Sequence, residues 1–271
     1  MKWTVLQLFS GDLWAGAEVM LFTLLKQLRA SGRVNLIALS LNEGTLTARL
    51  REMGIEVHVI PEGQHSFLGI VWRAWRLLRG RPIAMIHAHR YKENVMALLL
   101  SWLLGIRLRI TTLHGMPEPF TGAQAARALW FTYLNDRIIR WFFHAVAVSR
   151  TMQKVFVEQH RFQDARVTVI HNGVERPTEQ EDGISSYGVP TGMLHVGTVG
   201  RMVPVKGYDL FLEIAAEIGK RTENVRFSIL GDGPLKETLD RRRKALGLEG
   251  HLLFFCPRPI PVRTIDRLTF T

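Results

Sequence analysis

The chain has one cysteine, Cys256, among 271 residues. An intramolecular disulfide is therefore excluded, and the usage fits a reducing compartment. No cysteine–histidine cluster has metal-ligand spacing, so no metal is expected. Long apolar runs are missing too. The longest, Val95 to Ile106, contains Ser101 and Gly105, and it falls well short of the ~20 residues that cross a bilayer. It reads as a buried helix. The N-terminal run from Met1 to Phe9 is too short for a signal peptide, and Asp12 stands three residues beyond it. These absences lead to the expectation of a cytoplasmic protein.

An apolar fraction of 47% with 22% charged residues is that of a globular protein long enough for two domains. The net charge of +11 is uneven: residues 61–150 carry 12 Lys/Arg against 4 Asp/Glu. That excess is interleaved with Trp72, Trp75, Trp102, Trp130, Trp141, Phe142 and Phe143. From Phe67 to Arg79, Arg and Trp recur at helical spacing, which suits an anionic membrane surface. A solvated basic face packed onto the protein fits the same pattern. No nucleic-acid partner is expected, because no helix-turn-helix, RRM or zinc pattern accompanies the charge.

Apolar runs of strand length alternate with helical patterns, which predicts α/β architecture with a parallel sheet. Strands are expected at Thr4–Phe9, Val34–Ser40, Ile55–Ile60, Ile83–His87, Leu108–Leu113, Ala145–Val148 and Val167–Ile170. Helices are expected at Gly16–Ala30, Leu46–Met53, Phe67–Leu78, Lys92–Leu104, Ala123–Phe142 and Arg150–His160. Residues 1–174 thus read as one doubly wound, Rossmann-like domain. Residues 175–192, polar and rich in proline and glycine, read as a linker. Residues 193–256 read as a partial second Rossmann-like domain, with strands at Leu194–Val199, Val225–Leu230 and Leu252–Phe255. Residues 257–271 have no clear period and read as an irregular tail.

Several motifs sit at strand ends. Gly16-Ala17-Glu18 opens the first helix, where a backbone can approach a phosphate. His87, His89, Arg90 and Lys92 follow the fourth strand. The histidines read as structural ones, or the group serves an acceptor or phosphate through Arg90 or Lys92. Thr111-Thr112-Leu113-His114-Gly115 ends the fifth strand, and Ser149 suits a helix N-cap. Asn172-Gly173 suits a left-handed turn. Between Gly197 and Gly207, two cations, Arg201 and Lys206, stand on short turns beside a helix N-terminus, an arrangement suited to a diphosphate. Gly231-Asp232-Gly233-Pro234 repeats the strand–glycine turn–helix plan. It is also an ordinary helix start.

In order from Thr4 to Phe255, these motifs resemble those of the retaining glycosyltransferases of family 4, which have the GT-B fold. The resemblance implies transfer of a hexose from a UDP- or GDP-sugar to a polysaccharide or lipid-linked acceptor, with no cofactor or metal. It implies that Gly16, Arg201 and Lys206 bind the donor diphosphate and that Gly231 and Gly233 approach the nucleotide. His114 is the candidate catalytic residue, lining the cleft without acting as a base. Arg90 and Lys92 are candidates on the acceptor side. Peripheral contact with an anionic inner membrane face would fit the basic, Trp-rich stretch.

The sequence also departs from the family pattern. Ala15 replaces a glycine, His171 stands where proline is usual, and Cys256-Pro257 replaces a glycine after an aromatic. The family continues with a closely spaced glutamate pair for the donor sugar and ribose, and no such pair follows Phe255. A C-terminally truncated chain is thus the expectation. The alternative to an active transferase is an inactive remnant or an accessory nucleotide- or anion-binding subunit. A nicotinamide-dependent dehydrogenase is disfavoured, because no Gly-x-Gly-x-x-Gly follows the first strand.

Overall fold

Side chains alternate across a strand, and in β1 (Trp3–Phe9) both faces are buried from Val5 onward. Leu6 and Leu8 enter one core cluster, while Phe9 enters another. A strand covered on both sides belongs inside a sheet flanked by helices. The computed structural model, which describes residues 2–11, 14–115, 133–140, 143–174 and 192–255, has this arrangement.

The chain divides into two compact units, Met1–Glu175 and Arg176–Thr271. In the first, β1 is joined by β2 (Val34–Ser40), β3 (Glu56–Val59), β4 (Ile83–Ala88), β5 (Leu108–Leu113), β6 (His144–Ala147) and β7 (Val167–Val169). They form a parallel sheet in the order β3-β2-β1-β4-β5-β6-β7. Helices α1 (Gly16–Ala30) and α2 (Thr45–Glu52) cover one face through Leu21, Leu25, Leu46 and Leu50. Helices α3 (Phe67–Leu78), α4 (Tyr91–Leu104), α5 (residues 133–140) and α6 (Arg150–Glu158) cover the other.

Local signals explain the helix limits. Ser66 caps α3 by accepting from the Gly69 N–H at 3.3 Å, and Ser149 caps α6 by accepting from Met152 N–H at 3.1 Å. Helix α4 stops at Gly105, whose φ of 71° places it in the left-handed region. Beyond β7 the expected left-handed turn is absent: neither Asn172 nor Gly173 has positive φ. Instead, Ile170 N–H donates to the Ala147 carbonyl and the His171 ring to that of Val148, 3.1 Å away. These bonds hold the chain along β6. The run from Val95 to Ile106 forms most of α4, and it is not wholly buried: Trp102 is 58% and Leu103 is 55% exposed.

The second unit has a parallel sheet in the order β10-β9-β8, from β8 (Leu194–Val199), β9 (Val225–Leu230) and β10 (Leu252–Phe255). Its core joins Phe227 and Ile229 of β9 to Tyr208 and Leu212 of α7 (Tyr208–Gly219) and Leu239 of α8 (Lys236–Ala245). Almost all of the expected linker, the tail, and residues 123–132 and 141–142 of the expected fifth helix lie outside the described residues.

Candidate functional site

In the first unit the strand order reverses between β1 and β4, and in doubly wound sheets ligands bind beyond the carboxyl ends at such a switch point. Here those ends carry the buried polar residues. Gln7, Ser10, His87, His89, Glu93 and Thr112 are each at most 8% exposed. The register sets Gln7 beside His87 across β1 and β4, so one polar layer spans neighbouring strands.

Three contacts build this layer. His87 Nε2 lies 2.8 Å from Thr112 Oγ1. His89 Nε2 lies 3.1 Å from Gln7 Oε1, and its Nδ1 lies 3.1 Å from His114 Nε2. The His87 and His89 rings meet at a tilt of 42°, with centroids 4.2 Å apart. Burial, with the neighbouring His114, pushes His87 down to about 3. Burial, with the Arg90 charge, pushes His114 down to about 4. His89 is held well below 6.5 by burial and then by the neighbouring His87, His114 and Arg90. All three rings are neutral at pH 7.

Two carboxylates tie the loop after β1 to the start of α4. Ser10 Oγ–H donates to Glu93 Oε1 at 2.5 Å, and Arg90 Nη2–H donates to Glu18 Oε1 at 2.5 Å. Glu18 Oε2 also accepts from the Ala15 N–H at 3.3 Å, fixing the entry into α1. Burial raises the Glu93 carboxyl pKa above its usual range. Lys92 pairs with Glu62 at 2.9 Å. Arg90 and Lys92, read in the sequence as acceptor-side cations, thus each engage a carboxylate of the protein. Gly16 is the first residue of α1, and a Cβ there would meet nothing within 4 Å.

These titrations set a pH dependence. Between pH 6.5 and about 4 the unfolded imidazoles take protons that the buried rings refuse, so stability falls as pH falls. Glu93 acts in the opposite sense, because its raised carboxyl contributes stability only at acid pH. Three histidines outweigh one carboxyl, at roughly 2 kcal/mol per fully buried ring between pH 6.5 and 5. All seven tryptophans, Trp3 to Trp141, lie in the first unit. Urea unfolding followed by tryptophan fluorescence should therefore give a midpoint that drops steeply from pH 7 to pH 5.

In the second unit the turn after β8 is laced to the turn after β9. Gly200 N–H donates to the Leu230 carbonyl at 2.9 Å, Met202 N–H to that of Asp232 at 2.8 Å, and Leu235 N–H to that of Met202 at 3.2 Å. Gly231 and Gly233 permit the approach: a Cβ on Gly231 would overlap the Gly200 carbonyl, and one on Gly233 would sit 2.6 Å from Met202 O. The loop presents Arg201 and Lys206, both exposed. The Lys206 stem lies 4.0 Å from where a Gly200 Cβ would be, so both cations stand at the carboxyl end of β8. The acids of this unit's turns and first helix are engaged by other cations: Arg242 pairs with Asp209 at 2.6 Å and Glu213 at 2.5 Å, and Lys236 with Asp232 at 3.7 Å. Among the described residues no ion pair involves Arg201 or Lys206.

Among the described residues, no three His, Cys, Asp or Glu side chains are grouped to hold a metal ion, and no helix is long and apolar enough to cross a membrane.

Residues 14–176 match the family model described as Glycosyltransferase Family 4. The chain belongs to that family. Residues 180–263 match a second model, Glycosyl transferases group 1, which reaches past Phe255, where the motif reading stops. Over 83 residues the family 4 chain is 36% identical to 2-deoxystreptamine N-acetyl-D-glucosaminyltransferase of Streptomyces fradiae, covering 30% of this chain and 20% of that protein. Over 200 residues it is 24% identical to alpha-D-kanosaminyltransferase of Streptomyces kanamyceticus, covering 73% of this chain and 47% of that protein. The chain thus spans less than half the length of these relatives. Alr3699/HepE of Anabaena, solved with UDP, superposes with a TM-score of 0.75 at 22% identity, over 99% of this chain and 72% of that one. The fold is that of the GT-B glycosyltransferases, with three strands of the second Rossmann-like unit among the described residues.

Sequence reasoning missed the Ser10–Glu93 and Arg90–Glu18 links and the role of Gln7. The one local signal was Glu18, three residues after Ala15 at a helix start, the spacing of a capping box.

Proposed function

We propose that this chain carries out, or supplies the major part of, retaining transfer of a hexose from a nucleotide-diphosphate sugar to a polysaccharide or lipid-linked acceptor. The observation that carries this reading is the pair Arg201 and Lys206, exposed at the carboxyl end of β8 and engaged by no carboxylate among the described residues. Fixed cations on a turn stabilise a leaving diphosphate without reorganising during the reaction. Gly231 and Gly233 hold that turn in shape beside the nucleotide. In the first unit, open space at Gly16 admits a phosphate to the start of α1. His114, neutral at pH 7, bonds a sugar hydroxyl rather than moving a proton. A relative of the same fold has been solved with UDP and with UDP-glucose, which supports a nucleotide-sugar donor. No metal is required, since the two cations meet the diphosphate charge. The test is calorimetric titration of the folded chain with UDP and with GDP. Saturable binding is expected for one of them, and its absence overturns the reading.

We further propose that the acceptor is met at an anionic membrane. Helices α3 and α4 pack side by side and expose Leu68 and Trp72 on one, Trp102 and Leu103 on the other. Arg73, Arg76 and Arg107 are exposed around them, with the Arg76 guanidinium 4.7 Å from the Trp72 ring centroid. Indole rings at the headgroup level beside arginines suit an anionic lipid surface. Co-sedimentation with phosphatidylglycerol vesicles should exceed that with phosphatidylcholine vesicles. The Trp72→Ala/Trp102→Ala variant should lose roughly tenfold or more in partitioning, from the apolar area of two indoles.

A further inference from the structure

The buried chain Gln7–His89–His114 has a direction. A neutral imidazole carries one N–H donor and one bare acceptor nitrogen. Gln7 is placed with its amide oxygen 3.1 Å from His89 Nε2 and its own buried Nε2 without a partner among the described residues, and an amide oxygen only accepts. His89 Nε2 must then carry the proton, which leaves His89 Nδ1 bare. Its neighbour across that nitrogen is His114 Nε2, 3.1 Å away, so the His114 proton sits on Nε2 and points inward to His89. What remains on the His114 ring is Nδ1, a lone-pair acceptor.

We propose that Gln7 and His89 are positioning residues that commit the His114 Nε2–H to the interior and leave Nδ1 as an acceptor for a donor hydroxyl of the bound sugar. Three features of the site hold the two rings in place and uncharged. Close contact with the tilted ring of His87, itself tied to Thr112, limits rotation of the His89 ring. Arg90 stands close enough to oppose a second proton on either His89 or His114. Burial of Gln7 at 1% exposure and His89 at 6% removes water as a competing partner. The opposite polarity needs the Gln7 amide reversed, with its NH2 donating to His89. His114 would then show an N–H at Nδ1 and would select ligand acceptors instead. Which ligand atom His114 can bond is decided two hydrogen bonds away, on β1.

The assignment of a sugar hydroxyl rests on the glycosyl-transfer reading above, whereas the tautomer does not. The experiment is long-range proton–nitrogen correlation NMR on the full chain labelled with 15N-histidine, from pH 5 to pH 8. The chain has ten histidines, and the His114 signals are identified by their loss in His114→Gln. The expected result is a single His114 tautomer, protonated on Nε2, with no titration across the range. Protonation on Nδ1, or conversion to imidazolium near pH 6.5, would overturn the proposal. In Gln7→Met the terminal acceptor is gone, and His114 should populate both tautomers while far-UV circular dichroism is retained. A pure Nε2–H tautomer in that variant would show that Gln7 does not set the direction. Should Gln7→Met fail to fold, the wild-type spectrum alone decides. Titration of the wild-type chain with UDP and GDP tests the transfer reading separately, so the two can fail independently.

Discussion

Replacing Arg201 and Lys206 together by alanine is expected to abolish saturable UDP and GDP binding while leaving the fold intact. Both side chains are exposed, and neither enters an ion pair among the described residues. Their removal strips no partner from the core and creates no cavity. On the proposed reading each contributes a charge-assisted hydrogen bond to a phosphate, worth ~1.5–3 kcal/mol. Losing both weakens binding by roughly two to four powers of ten, enough to carry it out of calorimetric range. The single variants should fall between, with Arg201→Ala the larger loss because a guanidinium offers a planar fork of donors and an ammonium a point charge. Undiminished affinity in the double variant would show that the diphosphate is held elsewhere.

Gly233→Ala should be among the most damaging single substitutions in the second unit. The new Cβ would lie 2.6 Å from the Met202 carbonyl oxygen and 2.8 Å from its nitrogen, and backbone atoms cannot swing aside as a side-chain tip can. Relief requires parting the turns after β8 and β9, which breaks the bonds Met202 makes with Asp232 and Leu235. Overpacking and two lost backbone bonds together cost about 2–4 kcal/mol. Hydrogen exchange across residues 194–255 should accelerate accordingly. Nucleotide binding should weaken too, because Arg201 sits on the displaced turn. Gly16→Ala is the contrasting case. A Cβ there meets nothing within 4 Å, so stability should be unchanged or slightly raised by the better helix former. If Gly16 admits a phosphate, affinity alone should fall. Normal exchange rates in Gly233→Ala would refute the close approach of the two turns.

Much of the scaffold is legible in the amino-acid order. Val34–Ser40, Leu108–Leu113, Leu194–Val199, Val225–Leu230 and Leu252–Phe255 have the limits expected of them. Short β-rich apolar runs bounded by turn residues carry that information locally. The placement of Gly16, His114, Arg201 and Lys206 at strand ends and helix starts is also legible, because the periodic runs beside them mark those limits. The state of the cations is not. Nothing near Lys92 announces Glu62, and nothing near Arg90 announces Glu18, 72 residues away. The outward Trp102 departs from expectation for a related reason: α4 is apolar nearly all round, and periodicity cannot say which side of such a helix is left uncovered.

Local pattern is enough for the alternation of strands and helices, the glycine turns, the place of the excess positive charge and, through spaced motifs, membership of family 4. These depend on neighbours a few residues apart, where the periods of strand and helix fix the geometry. The roles of the polar residues emerge only on packing. Ser10 meets Glu93 across 83 residues and Gln7 meets His89 across 82, because the crossover through α3 lays β4 beside β1. Once those partners are in place, burial discharges the histidines, and Arg90 and Lys92 pair with Glu18 and Glu62 of the same chain. Arg201 and Lys206 enter no such pairing among the described residues, where Asp209 and Glu213 are held by Arg242 and Asp232 by Lys236.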